Sequence, residues 1–198
     1  MGSVGQYAGT EDIIAKVLVK NITMVNAENG ARIKAFGGSS SSTSTKGGGN
    51  GYVRNVTFQD FKCEACTLPI VIDQCYETSA STCASYPSKV LINDIHYIDV
   101  TGTGTKDKEV VSLVCSDICT DITAIGTNLV GKSGSSEYFC TNIASTASLD
   151  FPCSAGGSIV SASSTSTTKT KTTKTTKTTK TTKTTTKTTT TKVTTTSG

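Results

Sequence analysis

Arg32 and Lys34 stand two residues apart in the stretch Asn29-Gly30-Ala31-Arg32-Ile33-Lys34-Ala35-Phe36. In an extended strand, side chains alternate between the two faces. Ala31, Ile33 and Ala35 then point one way and the two cations the other, roughly 7 Å apart. A guanidinium fork beside an ammonium point charge suits a ligand that carries a carboxylate. The competing reading is a half-buried strand whose basic face is simply solvated, so the surrounding chain must decide.

Eight cysteines are the second chemical signal: Cys63, Cys66, Cys75, Cys83, Cys115, Cys119, Cys140 and Cys153. An even number at short local spacings reads as a disulfide set formed in an oxidising compartment. Neighbours are paired: Cys75 with Cys83, Cys115 with Cys119, Cys140 with Cys153, and Cys63 with Cys66. Zinc would favour repeated Cys-x-x-Cys elements or histidine ligands. Only Cys63 and Cys66 have that spacing, and His96 is the only histidine. No metal or cofactor is expected. The sequons Asn21-Ile22-Thr23 and Asn55-Val56-Thr57 make Asn21 and Asn55 candidate glycosylation sites and agree with an extracellular location.

The elements that must carry these residues divide the chain in two. Residues 1–157 have the composition of one folded domain, and residues 158–198 are almost entirely Ser, Thr and Lys. All fifteen acidic residues lie in the domain against eleven cations, a net charge near −4, whereas the tail holds eight lysines and no acid. The overall +4 therefore describes the tail. It has no aromatic residues, so no nucleic-acid partner is expected. Lacking a core, the tail reads as disordered and, if secreted, as a carrier of O-linked sugars. There is no apolar run that could span a membrane. The opening Met1-Gly2-Ser3-Val4-Gly5 has neither the charged nor the apolar region of a signal peptide. The N-terminus of a secreted protein, signal peptide included, is thus expected to be missing.

Within residues 1–157 a single phrase recurs: Val17 to Asn26, Gly51 to Asp60, Val90 to Asp99, and more faintly Cys119 to Ile125. Its polar-then-β-branched step falls at Asn21, Asn55, Asp94 and Asp121, which are expected to stack at one corner. After each of the first three copies comes a second apolar stretch: Ala31 to Phe36, Leu68 to Cys75, and Glu109 to Cys115. Short strands at such a period, without helical pattern between them, predict a parallel β-helix whose coils stack about 4.8 Å apart. The second strands would form one sheet, placing Arg32 and Lys34 on a face shared with Tyr76, Ser112 and Cys115. His96 is read as a solvent-facing strand residue. Asp73 and Asp94 lie in different coils, and neither is assigned a catalytic role.

Several of these motifs, in order, resemble glycoside hydrolase family 28, the polygalacturonases and their rhamnogalacturonan-cleaving relatives. They are Gly2-Ser3-Val4-Gly5-Gln6-Tyr7-Ala8-Gly9, Val19 to Thr23, Asn29 to Lys34, and Gln74-Cys75-Tyr76. The Gly-Gln-Tyr turn, Ala31 before Arg32, and the Cys75–Cys83 pair are most similar to the exo-acting fungal branch. The resemblance implies an all-β, right-handed parallel β-helix and inverting hydrolysis of α-1,4-galacturonosyl bonds in pectin. It implies that Arg32, Lys34 and Tyr76 bind polygalacturonate or oligogalacturonate, in a chain expected to be a monomer. The family's acidic motifs, Asn-Thr-Asp and Asp-Asp, and its Gly-His-Gly motif are absent from this sequence. No catalytic residue is therefore assigned. The chain is expected to correspond to the C-terminal part of such an enzyme, begun at an internal methionine, and to be inactive and aggregation-prone alone. The alternatives are a non-catalytic oligogalacturonate-binding module and a structural cell-wall β-helix.

Overall fold

The computed structural model describes residues 1–155. The tail from residue 158, expected to be disordered and glycosylated, lies outside the described residues. The chain forms a parallel β-helix. Its strands are β1 (Glu11–Val25), β2 (Asn29–Phe36), β3 (Asn50–Cys66), β4 (Leu68–Tyr76), β5 (Lys89–Gly104), β6 (Glu109–Ile125), β7 (Asn128–Val130), β8 (Glu137–Ile143) and β9 (Ser154–Ala155). One short helix, α1 (Ala80–Ser85), interrupts them. The long strands β1, β3 and β5 stack in parallel and continue onto the second half of β6. The short strands β2 and β4 stack onto the first half of β6, and β8 follows. Thus β6 belongs to both ladders.

The long strands bend without breaking. In β3, Asn55, Asp60 and Ala65 take left-handed backbone angles, with φ of 53°, 50° and 59°. Their five-residue spacing sets the inward residues at alternating steps of two and three: Val53, Val56, Phe58, Phe61, Cys63, Cys66, all buried. A left-handed residue between two inward ones turns the strand and lets both face the core. Asn and Asp tolerate that conformation better than most residues, which explains why they mark the corners. Inward residues stack on their equivalents one coil away. Val17, Val56, Ile95 and Ile122 form one such column, and Ile33, Ile72 and Leu113 another. Phe58 lies flat on Tyr97, their ring centroids 5.4 Å apart and planes 3° from parallel.

The corner ladder differs from the sequence expectation. Asn55, Asp94 and Asp121 do share one ladder, but its member in the first coil is Lys16, also left-handed at φ 57°. Asn21 stands one corner further on and stacks with Asp60 and Asp99. The first two coils are therefore 39 residues apart, with β1 Glu11 pairing β3 Asn50. Because corners recur every five residues, a slide of five superimposes one corner on the next, and the lysine at the first corner hides the true alignment.

Three of the expected disulfides are present: Cys75–Cys83, Cys115–Cys119 and Cys140–Cys153. The fourth is not. Cys63 and Cys66 are free thiols, buried in the core. They straddle the Ala65 corner as Val53 and Val56 straddle Asn55, so their spacing is a packing step. Each is held in the ladder, Cys63 opposite Gly102 and Cys66 opposite Gly104. Burial, foremost, raises the pKa of both thiols, and a hydrogen bond with Cys66 adds to the rise at Cys63. Buried neutral thiols of this kind are unreactive. Alkylation without reductant should accordingly label neither cysteine in the native chain and both in urea, read as two adducts by intact mass. An unlabelled chain in urea would restore the Cys63–Cys66 bond.

Candidate substrate-binding site

Arg32 and Lys34 lie on β2, where Ala31, Ile33 and Ala35 are fully buried on the inner side. Their neighbour on one side is the segment from Met1 to Val4. Lys34 N–H donates to the Met1 carbonyl at 3.0 Å, and Phe36 N–H to the Val4 carbonyl at 2.9 Å. On the other side is β4. There Arg32 pairs with Val71 and Lys34 with Asp73, and β4 Val71 in turn pairs with β6 Ser112. A bulge follows: the register shifts between Lys34 and Phe36, so that Phe36 pairs with Tyr76. The shift delivers the Tyr76 ring to the cations.

Both cations converge on that ring. The Lys34 ammonium lies 4.4 Å from the Tyr76 ring centroid, and the Arg32 guanidinium carbon lies 5.3 Å from it. Phe36 supports the ring edge-on at 5.2 Å. Cation–ring contacts of this type contribute about 0.5–2 kcal/mol, more when desolvated. The disulfide between Cys75 and Cys83 ties the residue beside Tyr76 to α1, whose first turn is capped by Ser79 accepting from Thr82 N–H at 3.1 Å. The three site residues expected from the sequence are therefore together. Ser112 shares the sheet but is wholly buried, as is nearly all of Cys115, which is committed to its disulfide.

The sequence reading missed the partner of Arg32. The Arg32 Nη2 donates to Asp73 Oδ2 at 3.1 Å, and Cys75 N–H donates to Asp73 Oδ1, also at 3.1 Å. The Arg32 side chain is 14% exposed and that of Asp73 only 1%. Burial pushes the Asp73 carboxyl above its ordinary value, against the opposing pull of the Cys75 N–H and Arg32. Arg32 is thus turned partly into the sheet and half-neutralised, while Lys34 is half-buried and reaches over Tyr76. The signal was present in the register: aligning Ala31-x-Ile33 with Ile70-x-Ile72 sets Lys34 against Asp73.

Gln74 follows Asp73 and points the other way, 1% exposed. Its Nε2 donates to the Val90 carbonyl at 2.6 Å. Its Oε1 accepts from Ser116 N–H at 2.8 Å and Asp117 N–H at 3.2 Å. It therefore joins β4 to β5 and β6 directly behind the site.

The remaining candidates lie elsewhere. His96 is 33% exposed and bonded on both ring nitrogens, to Thr123 Oγ1 at 2.7 Å and to Asp94 Oδ1 at 2.8 Å. Asp94 also accepts from Asn55 Nδ2 at 3.1 Å. This cluster sits on the long-strand ladder, apart from Arg32 and Lys34. Asn21 and Asn55 both stand exposed at left-handed corners.

Comparison with known proteins points to one family. The profile of Glycosyl hydrolases family 28 matches residues 1–149. Exopolygalacturonase B of Aspergillus niger is 41% identical over 148 residues, which are 72% of this chain and 32% of that protein. A probable exopolygalacturonase X of Aspergillus terreus is 40% identical over 164 residues, 79% of this chain and 38% of that protein. The chain thus spans about a third of the length of these curated relatives. Among solved structures, the endo-xylogalacturonan hydrolase of Aspergillus tubingensis superimposes with a TM-score of 0.67 at 27% identity, over 79% of this chain and 40% of that one. With the match running from the first residue through β8, and a β-helix of the same architecture, this chain belongs to the glycosyl hydrolases family 28.

Proposed function

We propose that this chain supplies the acid-sugar grip of a pectin-hydrolysing enzyme, in which Arg32, Lys34 and Tyr76 hold a galacturonate unit of polygalacturonate. The observation that carries this reading is the convergence of two cations on one aromatic ring. A uronate offers a carboxylate to the cations and a C–H face to the ring. The activity of the fungal relatives, as their names give it, is exopolygalacturonase, and exo-acting hydrolysis of α-1,4-galacturonosyl bonds is the reaction we assign to the complete assembly. The three disulfides suit secretion into an oxidising space. Glycans on Asn21 and Asn55 and a separate tail domain from residue 158 belong to the same proposal.

These 198 residues alone are proposed to bind without cleaving. Inverting hydrolysis needs one carboxyl to protonate the leaving oxygen and another, about 6.5–9.5 Å away, to activate water. The carboxylate that the described residues bring to the cation pair is Asp73, which is buried and occupied by Arg32 and the Cys75 N–H. The sequence contains no Asp-Asp pair.

Titration calorimetry with trigalacturonate tests the binding. Lys34→Ala should weaken it about tenfold to a hundredfold, the loss of a charge-assisted bond worth roughly 1.5–3 kcal/mol. Reducing-sugar release from polygalacturonate should stay at background for the chain alone. Equal affinity for the neutral sugar trimer would contradict the acid-sugar grip, and sustained turnover would contradict the non-cleaving reading.

A further inference from the structure

Away from Arg32 and Lys34, the outer face of the long-strand ladder carries a two-rail pattern. At three successive rungs an apolar residue is followed, two positions on, by a polar one: Tyr52 and Arg54, Leu91 and Asn93, Ile118 and Thr120. Tyr52 pairs with Leu91 and Arg54 with Asn93, and Asn93 pairs with Thr120. Together they line an open groove of about 310 Å³. The apolar rail is unusually bare: Leu91 is 64% exposed and Ile118 57%. A ladder of exposed aliphatic side chains beside a groove is costly to leave in water unless something covers it.

We propose that this groove is a second glycan site, taking a neutral, flat, hydroxyl-rich sugar chain. Two features argue for a sugar. Arg54 is held over the Tyr52 ring, its guanidinium carbon 4.7 Å from the centroid. Among the described residues, Arg54 has no carboxylate partner and the side chains of Asn93 and Thr120 make no hydrogen bond. Guanidinium, amide and hydroxyl groups in one row match the hydroxyl edge of a glycan, while the rail beside them matches its C–H face. Rungs about 4.8 Å apart let successive sugars meet equivalent pairs. A second copy of the chain would cover the apolar rail but would leave the polar row to find new partners.

Charge argues for a neutral chain. Arg54 is the charged side chain in the lining; Asp94, Asp117 and Asp121 stand next in sequence to the lining residues Asn93, Ile118 and Thr120, and Lys89 two residues before Leu91. A polyuronate gains no net attraction there, in contrast to the Arg32 and Lys34 site. The inference does not depend on the pectin reading.

Chemical-shift titration of the full chain with xylohexaose, repeated with cellohexaose, tests it. Binding of either should shift the Tyr52, Leu91 and Ile118 resonances and survive Lys34→Ala. Arg54→Ala and Asn93→Ala should each weaken it about fivefold to tenfold while leaving trigalacturonate binding unchanged. Asn93→Ala, at a half-buried position without a side-chain hydrogen bond among the described residues, is the second variant that guards against a folding defect in the first. Four results would overturn the proposal: no shift with either hexaose, shifts unaffected by both variants, trigalacturonate bound in the groove as tightly as xylohexaose, or concentration-dependent dimerisation abolished by Leu91→Asp. Loss of trigalacturonate binding alone would count against the Arg32 and Lys34 site and leave the groove intact.

Discussion

Gln74→Leu should lower the unfolding free energy by about 2–4 kcal/mol, read from the urea midpoint at constant slope. Leucine nearly fills the space, so the cavity contribution is small and the loss comes from polar groups. The Val90 carbonyl loses its donor, and the Ser116 and Asp117 N–H groups lose a shared acceptor. An unpaired buried group costs about 1–3 kcal/mol. Val90 is buried and bears that cost in full, whereas Ser116 and Asp117 are partly within reach of water, which holds the total below the sum of three. Gln74→Glu is a sharper comparison. It keeps an acceptor for the two N–H groups, yet as a carboxylate it has no donor for Val90 and places a charge in the core. It should be the more damaging substitution at neutral pH and should recover on acidification. A change under about 1 kcal/mol for the leucine variant would mean that these three strands are tied by packing alone.

The residues that announce the fold are those whose local chemistry is one-sided. Asn55, Asp94 and Asp121 mark corners because few other residues accept a left-handed backbone. Lys16 holds the same conformation with none of that chemistry, so the first coil reads five residues out of register. Cys63 and Cys66 mislead for a related reason: a spacing of three suggests a bond or a metal, but Val53 and Val56, or Phe58 and Phe61, show that it is the ordinary step across a bend. Strand alternation is enough to put Arg32 and Lys34 on one face. What alternation cannot show is depth. Asp73 becomes the partner of Arg32 only once β2 and β4 are stacked and the pair is covered, leaving Asp73 1% exposed. The bulge after Lys34 is equally invisible in a single strand, because it exists only relative to the partner, yet it sets where the Tyr76 ring lies.

Arg32→Ala should destabilise the chain by about 2–4 kcal/mol at pH 7, with a loss that shrinks as the pH approaches about 4. Removing one member of a buried ion pair typically costs about 3–5 kcal/mol, and the 14% exposure of the Arg32 side chain places this case lower. The pH dependence follows from Asp73. Burial holds its folded pKa above the unfolded value, and Arg32 and the Cys75 N–H restrain that rise. Between the two values the folded chain binds the proton more tightly than the unfolded chain does, so stability falls as pH rises through the window. Without Arg32 the folded value climbs further, the window widens towards neutrality, and the penalty at neutral pH grows. Below the ordinary carboxylate range both states are protonated and the penalty vanishes. Urea unfolding at about pH 4 and about pH 7 measures the difference, and an Arg32→Ala penalty independent of pH would contradict a buried carboxylate as its origin. Asp73→Asn added to Arg32→Ala should recover most of the stability at neutral pH, since no charge is left stranded. It should not recover trigalacturonate binding, because the guanidinium is still missing. That split separates the two roles of Arg32: towards the sheet it offsets a buried acid, and towards the Tyr76 ring it presents the charge that a uronate would meet.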